Sequence, residues 1–208
     1  MPATMSNMML KTVVLLDGGN LRKSAQELGF QYHNDFVERF AWSCVDHDRE
    51  HVLRILYYDC APFAGEVTLP ISGERRVFES GDGWLRDLAQ RERFAVRRGV
   101  LKFRGYRLRR GVQAAPGQAL TDDDFAPDFE QKGVDVRIAL DVASYAHLPS
   151  IDQIVLASQD TDLVPAMKYA RRLGKQMVIA SLGNLRRLPG ELYEHSDDAR
   201  TILPERLA

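Results

Sequence analysis

Asp160 and Asp162 are spaced i, i+2 directly after the apolar run Ile154 to Ala157, in the stretch Ser158-Gln159-Asp160-Thr161-Asp162. A second apolar, β-branched run, Thr12 to Leu16, also stops at a carboxylate, Asp17, followed by Gly18-Gly19-Asn20. Asp135 falls in the first turn of a helical pattern that leads into the run at 154. Carboxylates gathered at strand ends repel one another unless a cation joins them. Oxygen ligands of this kind suit Mg²⁺ or Mn²⁺, and an ion so held activates water and neutralises charge on a phosphoryl oxygen. Taken singly, each acid has a plainer role. Asp160 or Asp162 could cap a helix, Asp17 could be a turn residue, and Asp135 could offset a helix dipole. The metal reading rests on the set: Asp17, Asp160 and Asp162 as ligands, with Asp135 completing the acidic rim or orienting the attacking water.

The elements that would position these acids follow from period and punctuation. Short apolar runs bounded by turn chemistry predict buried strands at 12–16, 52–58, 154–157 and 176–180. Helical spacing predicts helices at 21–28, from Asn34 as the cap through Cys44, near 84–89, from 134 to 145, from 163 to 173, and at 185–193. Segments 94–101 and 103–108 read as two strands of a hairpin, 201–203 as a short edge strand, 65–83 as a surface loop, and 111–131 as a flexible loop. Strands alternating with helices predict an α/β domain: a mostly parallel sheet covered on both faces. In such a sheet, ligands bind at the carboxyl ends of the strands. The organisation expected is a tail at 1–10 and one domain over 11–208.

The chain has 208 residues, 45% apolar, and a net charge of -1 from 28 basic and 29 acidic residues. Balanced charge gives no global case for nucleic acid, so a basic surface must be local. The strongest local signal is Arg97, Arg98, Lys102, Arg104, Arg107, Arg109 and Arg110, interleaved with Phe103 and Tyr106. Such a stretch can serve as a single-strand platform, with Arg104 and Arg107 on phosphates and the rings under bases, or as a charged edge strand that blocks aggregation. Asn20 and Ser158 could hydrogen-bond an acid or a phosphate, and Lys132 could contact a substrate phosphate. Asp59, Asp141 and the run Asp122 to Asp124 read as solvated surface. Two cysteines, Cys44 and Cys60, without metal-ligand spacing predict a reducing, cytoplasmic setting. No stretch predicts a signal peptide or a membrane span.

The motifs Leu16-Asp17-Gly18-Gly19-Asn20, Tyr57-Tyr58-Asp59, Lys132-Gly133-Val134-Asp135-Val136 and Ser158-Gln159-Asp160-Thr161-Asp162-Leu163-Val164-Pro165, followed by Arg172-Leu173-Gly174-Lys175, occur in the order found in one family. Together they resemble the NYN domain, in the LabA-like branch of the PIN-like nuclease superfamily, over about 11–203. The resemblance implies a PIN-like three-layer α/β/α sandwich, an acidic Mg²⁺ or Mn²⁺ site and endonuclease activity on RNA. Asp17, Asp135, Asp160 and Asp162 match the family's acidic positions, and Asn20 matches the asparagine of its first motif. Gln159 departs from the pattern, standing where the family often has glycine. Two other readings stay open: a non-catalytic RNA-binding or scaffold module, and a small-molecule phosphohydrolase. Against the latter, the Asp-x-Asp pattern of a haloacid dehalogenase-like phosphatase is missing, because Gly19 sits where its second acid would stand. No glycine-rich phosphate loop is present either. The oligomeric state is open, and a homo-oligomer is compatible with the sequence.

Overall fold

The computed structural model describes residues 9–79, 81–112, 119–183 and 188–207. The first strand, β1 (Leu10–Asp17), has every residue from Thr12 onward buried. Its even-numbered apolar residues, Val14 and Leu16, pack under α1 (Gly18–Glu27), α2 (Asn34–Ser43) and α3 (Gly83–Ala89). Its odd-numbered ones, Val13 and Leu15, pack under α4 (Val134–Ala146), α5 (Val164–Arg172) and α6 (Gly190–Glu194). This two-fold alternation is what a strand with a helical layer on each face must show. The expected three-layer α/β/α sandwich is present.

The other strands are β2 (Glu50–Cys60), β3 (Gly65–Thr68), β4 (Arg75–Phe78), β5 (Phe94–Leu108), β6 (Phe125–Lys132), β7 (Gln153–Ala157), β8 (Gln176–Leu182) and β9 (Asp198–Ile202). Among the described residues the main sheet runs β6-β5-β2-β1-β7-β8-β9, and every pair is parallel except β5 with β6. The chain winds outward from β1 to β2 and β5, then returns to the other side of β1 to lay down β7, β8 and β9. The winding therefore reverses between β1 and β7. At such a switch point the connections leave in opposite directions and open a crevice at the carboxyl ends of the strands. Leu16 lies level with Ala157, so Asp17 and Ser158 are the first residues at the mouth of that crevice.

Several expectations are corrected. Segments 94–101 and 103–108 are one strand, not a hairpin. Leu101 and Phe103 are half-buried while Val100, Lys102 and Arg104 are exposed, so the period of two runs through the expected turn. A register shift at Phe103/Gly105, with Gly105 at φ 113°, absorbs the bend. The true hairpin partner is β6, inside the segment expected to be a flexible loop. Its acids and Pro127 disguise it, but an edge strand tolerates proline because one side of the ladder needs no donor. Residues 113–118 of that expected loop lie outside the described residues. The expected surface loop at 65–83 contains the β3–β4 hairpin, and its Phe78 packs on Phe63 and Phe129. The last helix is shorter than expected, with 185–187 outside the described residues, and β9 begins at Asp198 rather than Thr201. His33 rather than Asn34 caps α2, with its Nδ1 accepting from the Phe36 N–H at 3.2 Å.

The β5 and α4 elements approach closely at Gly99. A Cβ there would lie 2.8 Å from Cys60 Sγ, 2.8 Å from Val134 Cγ2 and 2.9 Å from the Lys132 carbonyl oxygen. The Gly99→Ala variant is expected to lose about 1–3 kcal/mol of stability, the usual cost of overpacking. Urea denaturation at pH 7 measures it.

Candidate active site

Asp17 is held at the switch point by its local backbone and by the neighbouring strand. Glycines at 18 and 19 let the chain pass straight from β1 into α1, and Asp17 becomes the cap of that helix. Its Oδ1 accepts from the Asn20 N–H at 3.0 Å, and its Oδ2 accepts from the Ser158 hydroxyl at 3.0 Å. Asp17 is 8% exposed and Ser158 only 1%. Ser158 also accepts from the Asp160 N–H at 3.2 Å, and Asp160 Oδ1 accepts from the Asp162 N–H at 2.9 Å. One chain of hydrogen bonds thus runs from Asp17 through Ser158 and Asp160 to Asp162.

Burial is the main force pushing the Asp17 carboxyl above its ordinary value of 3.8, opposed by the Asn20 and Ser158 hydrogen bonds and reinforced by the charges of Asp135 and Asp160. Asp135, at the start of α4, is also raised, first by desolvation and then by Asp160 and Asp162. Its neighbours are therefore acids. Among the described residues no Lys or Arg forms an ion pair with Asp17, Asp135, Asp160 or Asp162.

The adjacent strand end is built differently. Asp59, expected at the surface, is 1% exposed. It is satisfied by Arg22, by the Tyr57 hydroxyl at 2.9 Å, by the Cys60 N–H at 2.8 Å and by Gln131 Nε2 at 3.4 Å. Asp141, also expected in solvent, is half-buried and accepts from Tyr58 at 2.8 Å and Arg97 Nε at 3.0 Å. The signal for Asp59 was available: it ends the strand next to β1, as Asp17 ends β1.

The remaining expected site residues divide. Asn20 lies in the first turn of α1, inside the helix rather than capping it, and its backbone N–H is the Asp17 donor. Lys132 and Arg104 both pair with Glu130, and Arg107 pairs with Asp128 at 3.7 Å. Arg104 and Arg107 are neutralised across the β5–β6 ladder, and Lys132 by Glu130 of its own strand. Phe103 and Tyr106 are half-buried, with Phe103 packed on Phe63, Phe129 and Tyr106, so they do not form an open stacking platform. Gln159 is half-buried between β7 and the acids.

Whether an ion fits can be asked of the donors themselves. Among the described residues no three Asp, Glu, His or Cys side chains converge closely enough to hold a metal by protein ligands alone. Mg²⁺ commonly keeps several waters and takes only one or two carboxylates. An acidic crevice without a counter-charge fits a hydrated ion of that kind.

The NYN domain model matches residues 85–199, more than half of the chain. The chain belongs to the NYN domain family. NYN domains form a PIN-like nuclease family, which implies a nucleic-acid substrate and, in general, divalent metals. Asp135, Ser158, Asp160 and Asp162 fall inside the matched region, while Asp17 precedes it. An uncharacterized protein of Methanocaldococcus jannaschii, MJ0482, is 31% identical over 62 residues, covering 30% of this chain and 26% of that protein. The chain thus spans about a quarter of that relative's length. No solved structure matches. No helix among the described residues is long and apolar enough to cross a membrane.

Raised carboxyls make a signed prediction. A folded-state pKa above the unfolded value means that the fold prefers the neutral acid. The penalty is fully present above the folded pKa and disappears below the unfolded one. In chelator, Asp135→Asn is expected to melt higher than the wild-type chain at pH 7, with the difference shrinking as pH falls toward the ordinary carboxylate range. Thermal melts between pH 4 and 8 test this.

Proposed function

We propose that this NYN domain is a Mg²⁺- or Mn²⁺-dependent endoribonuclease acting on single-stranded RNA. The observation that carries the reading is a buried carboxylate, Asp17, at the switch point, with acids and, among the described residues, no cation beside it. Asp17 and Asp160 would hold the ion, with Asp162 reaching it directly or through water. When bound, the ion supplies water activation and charge neutralisation at the scissile phosphate. Ser158 fixes the orientation of Asp17 and the backbone of Asp160, so the ligands are positioned before substrate arrives. Asp135, which feels the charge of Asp160, would complete the acidic rim or orient the attacking water. The Asn20 side chain, at the same helix start, would contact a phosphate. Lys132, Arg104 and Arg107 serve the substrate only by exchanging their carboxylate partners for phosphates, which makes them a secondary, salt-sensitive surface.

A second reading, an RNA-binding module without turnover, is favoured by one feature. Gln159 stands directly before Asp160, where the family often has glycine, and its side chain lines a hollow with Ser24, Leu28 and Leu182. The two readings separate in one assay. Labelled single-stranded RNA is incubated with Mn²⁺ or Mg²⁺, or with chelator, beside Asp17→Asn and Asp160→Asn. Cleavage is expected to require metal and to fall at least about a hundredfold in each variant, since each removes charge stabilisation where the transition state needs it. Cleavage that ignores chelator, or survives both substitutions, overturns the nuclease reading. Binding without cleavage under every metal establishes the scaffold.

Metal binding should also be visible without substrate. At an ion concentration about a hundredfold above Kd, the native state gains ~2.7 kcal/mol. That is a rise of about 5–10 °C in melting temperature for a chain of this size. The rise should vanish with chelator and shrink in Asp17→Asn.

A further inference from the structure

Beside the carboxylates, on the α1 side of β2, lies a cleft of about 600 Å³ lined by Arg22, Tyr32, Asn34, Trp84, Leu101 and Gln131. We propose that this cleft is a nucleobase subsite, which receives one unpaired base of the RNA strand whose backbone lies on the acids. The proposal rests on the nuclease reading for the identity of the polymer, but its chemistry is independent of turnover.

Position links the cleft to the acids. A Cβ on Gly19 would lie 3.1 Å from Gln131 Oε1 and 3.5 Å from Asp17 Oδ1, so the cleft wall and the buried acid meet at one glycine. The Tyr32 hydroxyl donates to the Gly18 carbonyl oxygen at 3.3 Å, on the turn that carries Asp17. A nucleotide with its phosphate at Asp17 therefore has its base within reach of the cleft.

The lining selects a neutral, planar ligand. Arg22, the cation in the wall, is already neutralised by Asp59 and lies over the Tyr32 ring at 5.4 Å. A free anion finds no uncompensated charge there. Trp84 meets Tyr32 and Tyr57 nearly at right angles, at 76° and 77°, which builds a rigid aromatic corner. Base stacking on such rings is the common currency of single-strand recognition. Asn34 adds a polar edge. Its Nδ2 donates to the Trp84 carbonyl oxygen at 3.0 Å, which fixes the orientation of the amide. The volume is within the range of small-ligand sites.

The test uses intrinsic fluorescence in a Trp42→Phe background. Trp42 stacks on His47 away from the cleft, and its removal leaves Trp84 as the sole tryptophan of the chain. AMP, CMP, GMP and UMP are titrated in chelator, with inorganic phosphate and ribose 5-phosphate as controls. At least one nucleotide is expected to change the emission saturably, and the controls are not. In the cleavage assay, Trp84→Ala should raise KM about tenfold with a smaller change in kcat, and Trp84→Phe should restore most of the loss. RNA with the same nucleotides paired in a duplex should resist cleavage. No saturable response to any nucleotide, or an equal response to the controls, overturns the subsite even where cleavage is intact. A Trp84→Ala effect confined to kcat and melting temperature assigns the ring a structural role and also overturns it. Loss of metal-dependent cleavage with nucleotide binding retained refutes the nuclease reading and leaves the subsite standing.

Discussion

A carboxylate buried at the end of the central strand is the constraint around which this molecule is arranged. Among the described residues Asp17 keeps two hydrogen-bond donors, an amide of its own helix and a hydroxyl just past the neighbouring strand, and its charged neighbours are acids. A lone buried charge is among the most costly features a fold can contain, and it is tolerated where function requires it. The contrast with Asp59 makes the point within one molecule. Both acids end adjacent parallel strands, and Asp59 is the more buried. Asp59 has Arg22 and Tyr57, and so is finished as a structural group. Among the described residues no cation pairs with Asp17.

The sheet makes this possible. Strands covered on both faces leave their ends as the natural place for polar chemistry, and reversal of the winding between β1 and β7 opens a space there. Ser158 is the residue through which the two strands communicate. It donates to Asp17 and accepts from the Asp160 amide, so the register of β1 against β7 sets the spacing of the acids. A one-residue slip would turn Ser158 away and replace every buried side chain of β7 with its neighbour.

The basic edge of the sheet has another use. Arg104 with Glu130 and Arg107 with Asp128 form cross-strand pairs on a two-stranded antiparallel extension, and Phe103 and Phe129 fasten its other face. Paired charges on an edge discourage association through open backbone groups. They also lower the net positive potential of that edge.

Much of this was legible in the sequence. The runs at 12–16 and 154–157 announce buried parallel strands because burial on both faces removes polar residues. The acids that follow them stand out because such runs seldom end in bare charge. Helices 134–146 and 164–172 follow from their period and stops. The strand β6 was hidden because its acids and proline suit a loop as well as an edge, and only a partner strand decides between them. The partners of Asp59, Arg104 and Arg107 were hidden for a related reason. They lie 37, 26 and 21 residues away, at distances that register and packing fix and local pattern does not. Residue type and order therefore determined which acids reach the strand ends. Tertiary structure alone decided which acid found a cation within the chain, because charge neutralisation depends on distance in space rather than separation along the sequence.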